Sequence, residues 1–461
     1  MRPFDIALAI GLANILDPTT PATAQAVQAA QAETLDQKIA SYVAPLVQTN
    51  NFAGAILVAE RGEVRVARGF GYADIEQRVL STPWTRYQIA SLSKPFTSAA
   101  IMLLVQRGAV NLNAPLSKLL PDYPNGEKLT VHHLLSHGSG IPNINDFPEY
   151  EQLQMKPHST AELVSYFNDK PLGFTPGTKY EYSNSNYNLL AHIIERVSGQ
   201  SYGEFINREI LGPLVLRETG HRSNMTDIIA GLADGYAPRG PLGLQRSQYL
   251  DWTVKTGNGS LYSSASDLVR FVRAVHGESL LSPGSRSALF TKHSPNAGYG
   301  WFMTKANGKE IHHLNGRSPG WAAQLDHYVN EDVTVVVLSN TYNSVTTPVA
   351  RGVGAIYFGL PPEPMPALRP EPLTSAEAER LVGTYKFGPE YYVPNSTVTI
   401  TTEDGHIQAE YPSGYPASPY VSISSTKFIV RPFWMPAEFV IGADGKATGL
   451  VLDGFRGTRV N

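Results

Sequence analysis

The sequence predicts an α+β fold, one antiparallel sheet with helices against it, followed by a small all-β barrel. Three observations lead there. Strand-like segments stand before and after a mainly helical middle, so the early and late strands must meet in one sheet. From Leu360 to Pro372 six prolines crowd a short stretch (Pro361, Pro362, Pro364, Pro366, Pro370 and Pro372), which reads as an extended, semi-rigid linker. Beyond it the pattern is all strand, and strands that close on themselves without helices read as a barrel or sandwich. With 461 residues, 42% of them hydrophobic, the chain is long enough for two or three domains with large cores.

At the N-terminus Arg2 precedes an apolar core from Ile6 to Ile15 and then Pro21-Ala22-Thr23-Ala24-Gln25-Ala26. That is the layout of a secretory signal cleaved after Ala26, so residues 1–26 are expected to direct export to a periplasmic or secreted location. The core is too short for a permanent anchor, and no later run has the length and apolarity of a transmembrane helix. Leu35 to Val47 reads as an amphipathic helix. Ala53 to Ala59 and Glu63 to Phe70 read as a hairpin turning at Arg61-Gly62. Helices follow at Ala161 to Phe167, Asn186 to Val197 and Ala265 to Val275. The strands Ala322 to Tyr328 and Val333 to Leu338 then close a first domain over residues 35–358.

After the linker, residues 359–372, the barrel is expected over residues 373–461. Asp404-Gly405 and Asp444-Gly445 mark hairpin turns between alternating segments. Val398 and Ile400, Ile407 and Ala409, Phe428 and Val430 mark the inward faces. The aromatic set Tyr391, Tyr392, Tyr411, Tyr415, Tyr420, Phe433 and Trp434 is expected as barrel core. No internal repeat is visible.

Formal net charge is −3 and no basic stripe interleaves with aromatics, so nucleic acid is not an expected partner. The absence of cysteine removes disulfides, thiolate nucleophiles and cysteine metal sites. Histidines cluster only at His132-His133 and His137, with no carboxylate at metal-site spacing, which reads as a structural turn. No metal or cofactor is expected. The expected partner is a small-molecule or peptide substrate, and the oligomeric state stays open.

Chemistry concentrates at Ser91-Leu92-Ser93-Lys94. The apolar run from Ala99 to Val105 follows, with Gly108 as a stop signal, so the tetrapeptide opens a buried helix. Residues three apart share a helix face, which sets Ser91 beside Lys94. A lysine in a dry place sheds its proton cheaply and can take one from a serine hydroxyl. A second copy, Ser424-Ser425-Thr426-Lys427, lies in an alternating run from Val421 to Val430, which would put its serine and lysine on opposite faces.

A Ser-Lys nucleophile also needs a proton shuttle and oxyanion donors. Tyr182-Ser183-Asn184 follows the turn Pro176-Gly177-Thr178 and precedes a helix. Its tyrosine can therefore point into a cleft, and Asn184 offers both a donor and an acceptor. For the strand edge that faces the serine, two segments compete. Lys255-Thr256-Gly257 leads into Asn258-Gly259-Ser260 and a helix capped at Ser264, with no following strand. His312 to Trp321 precedes two clear strands and is preferred on that context.

Taken together, these segments resemble the serine β-lactamase-like family of class C β-lactamases, D-alanyl-D-alanine carboxypeptidases, D-aminopeptidases and related esterases. The resemblance rests on Ile89 to Lys94, on Leu134-Leu135-Ser136-His137-Gly138-Ser139-Gly140-Ile141-Pro142, on Pro176-Gly177 through Tyr182-Ser183-Asn184, and on Gly259 to Ser264 with Asp267-Leu268. They occur in the family's order and span about Leu35 to Tyr357. The tail from about Leu373 resembles the lipocalin-like barrel of some peptidase members, expected to shape access or mediate self-association without chemistry of its own.

The resemblance implies a β-lactamase/transpeptidase-like domain and a serine hydrolase working through an acyl-enzyme. It implies Ser91 as nucleophile, Lys94 and Tyr182 as the proton-handling pair, and Asn184 as a substrate-amide contact. The N–H of Ser91 and one from near Arg317 are expected to bind the oxyanion. Members usually show Lys-Thr-Gly or His-x-Gly at the third motif, whereas this chain has Leu314-Asn315-Gly316 there. Leucine thus replaces the cation or imidazole unless His313 swings in, which needs a bulge because a one-residue shift flips a side chain. His313, Asn315, Gly316 and Arg317 complete the substrate-binding candidates. Amides of D-amino-acid-containing or small peptides are expected first, short acyl esters second, and β-lactams third, since their carboxylate lacks its cation. A non-catalytic penicillin-binding-like sensor is a different class, and retention of Ser91, Lys94 and Tyr182 argues against it.

Overall fold

A left-handed turn sets up the first strand pair. In the computed structural model, which describes residues 33–412 and 417–460, β1 (Gly54–Glu60) and β2 (Glu63–Phe70) join at Arg61 and Gly62 with φ of 50° and 80°. Positive φ at both central residues suits the twist of a two-residue hairpin. The expected signal peptide over residues 1–26 and Tyr415 of the aromatic set lie outside the described residues.

Four late strands complete the sheet: β3 (Phe302–Ala306), β4 (Lys309–Ser318), β5 (Trp321–Tyr328) and β6 (Val333–Ser339). Their order is β3-β4-β5-β6-β1-β2, antiparallel throughout, so the two ends of the domain meet where Gly54 pairs with Ser339. Both faces are covered, and alternation divides the side chains between two cores. Ala55, Leu57, Val336 and Leu338 belong to the core shared with helices α2 (Lys94–Gln106), α3 (Asn184–Ser198) and α4 (Ala265–His276). Ile56, Val58, Val335 and Val337 belong to the other core, shared with α1 (Leu35–Gln48) and α5 (Thr346–Tyr357). Every residue of β5 and β6 is buried, as two-sided coverage requires.

Helix α2 is buried at every position from Lys94 to Leu104. A helix without a polar face has to be enclosed, and that enclosure sets the environment of its first residue. A 3₁₀ turn, Ala90–Ser93, leads into it and carries Ser91.

Eight further strands form a closed antiparallel barrel: β7 (Gly383–Lys386), β8 (Thr397–Glu403), β9 (His406–Glu410), β10 (Ser418–Ser422), β11 (Lys427–Val430), β12 (Met435–Ile441), β13 (Ala447–Leu452) and β14 (Phe455–Arg459). Tyr385, Tyr391, Tyr420, Phe428 and Phe439 pack inside it as a core. Two expectations need correction. Tyr392 is exposed, and Trp434 packs against the core under α1 and α5 instead of the barrel interior. The run from Val421 to Val430 is also not one strand. It breaks into β10 and β11 because Ser424 Oγ accepts the Lys427 N–H at 3.2 Å, a local turn bond that competes with the ladder.

Among the described residues no helix is long and apolar enough to cross a membrane. Burial holds several histidines neutral, pushing His137 and His327 down to about 3 and His221, His312 and His313 down to about 4. The unfolded chain, with histidines near their ordinary 6.5, takes up protons below that pH that the native state refuses. Stability is therefore unaffected by these groups above about pH 7 and declines as pH falls from about 6.5 toward 4. Burial also raises the carboxyls of Asp146, Asp267 and Asp326, the last to about 6, and these three oppose the ten histidines whose pKa values are lowered. Thermal scans should show a melting temperature that drops steadily over that window. A melting temperature constant to pH 4.5 would contradict the burial argument.

Candidate active site

Ser91 is half-buried on its 3₁₀ turn, and one turn later Lys94 is only 1% exposed. Lys94 Nζ lies 3.0 Å from Ser91 Oγ, 2.9 Å from Asn184 Oδ1 and 2.9 Å from the Asn258 carbonyl oxygen. Its other neighbours are the rings of Tyr182 and Tyr187, with centroids at 4.9 and 5.5 Å. Among the described residues no carboxylate forms an ion pair with it. Burial, aided by the positive charge of Lys255, lowers the Lys94 pKa well below the ordinary lysine value. A neutral amine has two N–H bonds and one lone pair. As an ammonium Lys94 donates to all three oxygens; once deprotonated, it can give its N–H bonds to the two carbonyl oxygens and turn its lone pair to the Ser91 hydroxyl.

Tyr182 Oη stands 3.0 Å from Ser91 Oγ on the other side. Burial raises its pKa and outweighs the opposing Ser91 hydrogen bond, so the phenol keeps its proton. His137, held at φ 56°, lies beside the Tyr182 ring at 4.5 Å between centroids, and its Nδ1 accepts the Ser183 N–H at 3.2 Å. A neutral imidazole can accept there and an imidazolium cannot, in keeping with its depressed pKa.

Asn184 opens α3 and is tied down on three sides. Its backbone N–H donates to Asn143 Oδ1 at 3.0 Å, its Nδ2 donates to Asn145 Oδ1 at 2.7 Å, and its Oδ1 faces Lys94. One Nδ2 hydrogen remains for a substrate. The Asn258 carbonyl is presented by a tight turn in which Asn258 and Gly259 both donate N–H bonds to the Lys255 carbonyl, at 3.0 and 2.8 Å. Gly257, at φ 82°, has to be glycine there, since a Cβ would lie 2.3 Å from the Tyr187 oxygen.

Lys255-Thr256-Gly257 is thus not the strand edge beside Ser91, yet it belongs to the site. It shapes the turn under Lys94, and Lys255 Nζ donates to Tyr150 Oη at 3.1 Å. A short strand does follow it, Leu261–Ser263, contrary to expectation, and it pairs with Tyr87–Gln88 and Gly220–His221.

The edge beside Ser91 belongs to β4. Strand β3 pairs only with residues 309–313, which leaves the edge at 314–318 open toward the turn that carries Ser91. Gly316 makes the contact: a Cβ there would lie 2.1 Å from the Ile89 carbonyl oxygen and 3.1 Å from the Ser91 nitrogen. No register shift interrupts β4, so Leu314 and Gly316 share one face while His313, Asn315 and Arg317 share the other. His313 therefore does not reach the site and packs against Phe302, with ring centroids 5.7 Å apart. Asn315 is exposed on that face, and the Arg317 guanidinium donates to the Pro432 carbonyl at 2.7 Å. Leu314 instead lines a narrow pocket with Lys94, Tyr180, Tyr182, Trp301 and Phe302.

Asn143, Asn145, Asn258 and Lys255 are the site residues that sequence reasoning missed or set aside. One further group of acidic side chains, Asp74, Glu76 and Asp234, has the spacing to hold a cation, but Arg246 already bonds Glu76 at 2.6 Å and Asp234 at 3.1 Å.

A family model described as Beta-lactamase matches residues 35–354. Penicillin-binding protein 4* of Bacillus subtilis (strain 168) is 29% identical over 428 residues, 87% of this chain and 92% of that protein. Protein flp of Staphylococcus aureus (strain MRSA252) is 29% identical over 322 residues, 66% of this chain and 62% of that protein. Among solved structures, the octameric penicillin-binding protein homologue from Pyrococcus abyssi has a TM-score of 0.63 at 25% identity, covering 92% of this chain and 99% of its own. D-amino acid amidase from Ochrobactrum anthropi SV3, at TM-score 0.62 and 22% identity over 70% of this chain and 99% of its own, shares the fold. The chain belongs to the beta-lactamase family and is a serine hydrolase.

Proposed function

We propose that this member of the family hydrolyses small amides, first of all those of D-amino-acid-containing or short peptides, through an acyl-enzyme on Ser91. The observation that carries the reading is the buried Lys94 amino group, whose Nζ lies 3.0 Å from Ser91 Oγ in a site where burial lowers its pKa. Oγ bonds to the substrate carbonyl carbon as its proton passes to Lys94 Nζ. The N–H groups of Ser91 and Arg317 hold the oxyanion, a contribution of about 3–4 kcal/mol per donor in comparable enzymes. Collapse of the adduct breaks the C–N bond. The departing nitrogen takes the Tyr182 hydroxyl proton, which the Lys94 ammonium replenishes. Water then attacks the acyl ester with its proton drawn off by the same pair, and the acid leaves.

Leu314, at the position where the family usually has a cation or imidazole, and the aromatic wall beside Tyr182 support uncharged substrates. The remaining Asn184 N–H suits a substrate amide carbonyl. Short acyl esters, which the same nucleophile and proton relay would also cleave, come second, and β-lactams third. Export directed by residues 1–26 is part of the same reading.

Ser91→Ala should fold normally and lose roughly 10⁴-fold or more in kcat, and mass spectrometry of the native protein should find an acyl adduct on the peptide holding Ser91. Full activity in the variant would remove Ser91 from the chemistry.

Turnover of D-aminoacyl anilides, nitrophenyl acyl esters and a chromogenic β-lactam should rank in that order by kcat/KM. Dominant β-lactam turnover would reverse the substrate assignment.

The acidic limb of kcat/KM should report the deprotonation of Lys94 in the free enzyme. Lys255→Met removes a neighbouring positive charge, which raises the Lys94 pKa and should move that limb to higher pH, while Lys255→Arg leaves it in place. Identical profiles for both variants would show that the Lys255 charge does not act on Lys94.

A further inference from the structure

The barrel is locked into the hydrolase domain by four residues, Arg431 to Trp434, in the turn between β11 and β12. Arg431 has no exposed surface. Its Nε donates to Asn51 Oδ1 at 2.7 Å, one terminal nitrogen donates to the carbonyls of Gly243 and Gly240 at 2.7 and 3.2 Å, and the other to Asn50 and Thr49 at 3.0 and 3.5 Å. Every nitrogen of a buried cation is thus answered by the hydrolase domain, and withdrawing the turn would strand both the charge and the carbonyls. Trp434 sits at φ 49°, an uncommon conformation for a bulky residue, and packs against the core under α1 and α5.

Between these anchors the turn grips Arg317. The Pro432 carbonyl accepts from its guanidinium, which lies between the Phe433 ring of the barrel at 4.8 Å and the Tyr342 ring of the hydrolase domain at 4.3 Å. Arg317 follows Gly316 on the β4 edge that β3 leaves open. A segment without a ladder partner on one side is free to shift unless its side chains are held, and an oxyanion donor tolerates little misplacement.

We propose that the Arg317 side chain is a positioning residue, through which the barrel turn Pro432-Phe433 fixes the β4 edge and the oxyanion donor on it. The proposal rests on the reading of Arg317 N–H as that donor. It makes the barrel a working part of the site, where the sequence suggested a domain without a share in the chemistry.

The test uses the full chain and a small neutral ester, nitrophenyl acetate. Arg317→Met keeps the side-chain stem and removes the guanidinium. It should lower kcat about 10- to 100-fold with KM within about twofold, and weaken a boronic acid transition-state analogue in parallel with kcat/KM. Phe433→Leu, on the barrel side, should show the same kcat-selective loss, and the double variant should be no worse than the poorer single one. Should Arg317→Met fold poorly, Phe433→Leu carries the test alone. Normal kcat in the folded variants overturns the clamp. An equal rise in KM with unchanged kcat overturns it as well, since that would mark a contact that stabilises substrate and transition state alike. If Ser91→Ala abolishes turnover while Arg317→Met and Phe433→Leu do not, only the clamp fails. If Ser91→Ala keeps turnover, the underlying reading has failed instead.

Discussion

A lysine amine with almost no contact with water and no carboxylate beside it cannot remain an ammonium cheaply, and the rest of the site follows from that constraint. Fully burying an unpaired charge costs several kcal/mol even after relaxation, which favours the neutral form. Burial therefore pulls Lys94 toward the neutral amine. Two carbonyl oxygens, Asn184 Oδ1 and the Asn258 main chain, answer its two N–H bonds. The like charge of Lys255 pushes in the same direction. What is left of the nitrogen's bonding capacity faces Ser91.

The surrounding fold keeps this arrangement dry and fixed. Helix α2 is buried on all sides, and so its first residue is too. The three elements that meet at Ser91 approach more closely than side chains allow. Gly316 touches the Ile89–Ser91 turn, and Gly257 touches the Tyr187 carbonyl. The asparagines 143, 145, 184, 188 and 258 lend donors and acceptors with no net charge. Their bonds include Asn258 Nδ2 to Asn188 Oδ1 at 3.1 Å. A carboxylate in their place would favour the Lys94 ammonium. The open edge of β4 is the exposed weakness of this scheme, and the barrel turn lies directly against the side chain that leaves it.

Spacing made the pairing of Ser91 with Lys94 legible in the sequence, because residues three apart on a helical turn share a face and the apolar run announced burial. Tyr182 was legible from the turn before it and the helix after it. The first hairpin and the barrel were legible from glycine-bearing turns between alternating segments. Other features leave no such trace. Strand β4, with Lys309-Glu310-Ile311-His312-His313, shows little alternation because each of its faces is only partly apolar. Lys255 matched a motif whose following strand, Leu261–Ser263, is too short to read from the sequence, and its place under Lys94 depends on a turn that brings residue 258 back beside residue 94. Arg431 looked like one arginine at the end of a strand, since its partners lie about 190 and 380 residues away in the chain.

The central claim is that Lys94 rests as a neutral amine. It can be read directly by heteronuclear NMR of the protein carrying ¹³C at the lysine ε carbons, with the Lys94 signal assigned by its loss in Lys94→Met. The account predicts one lysine that titrates well below all the others in the wild-type protein. A Lys94 signal that titrates together with the exposed lysines would contradict it.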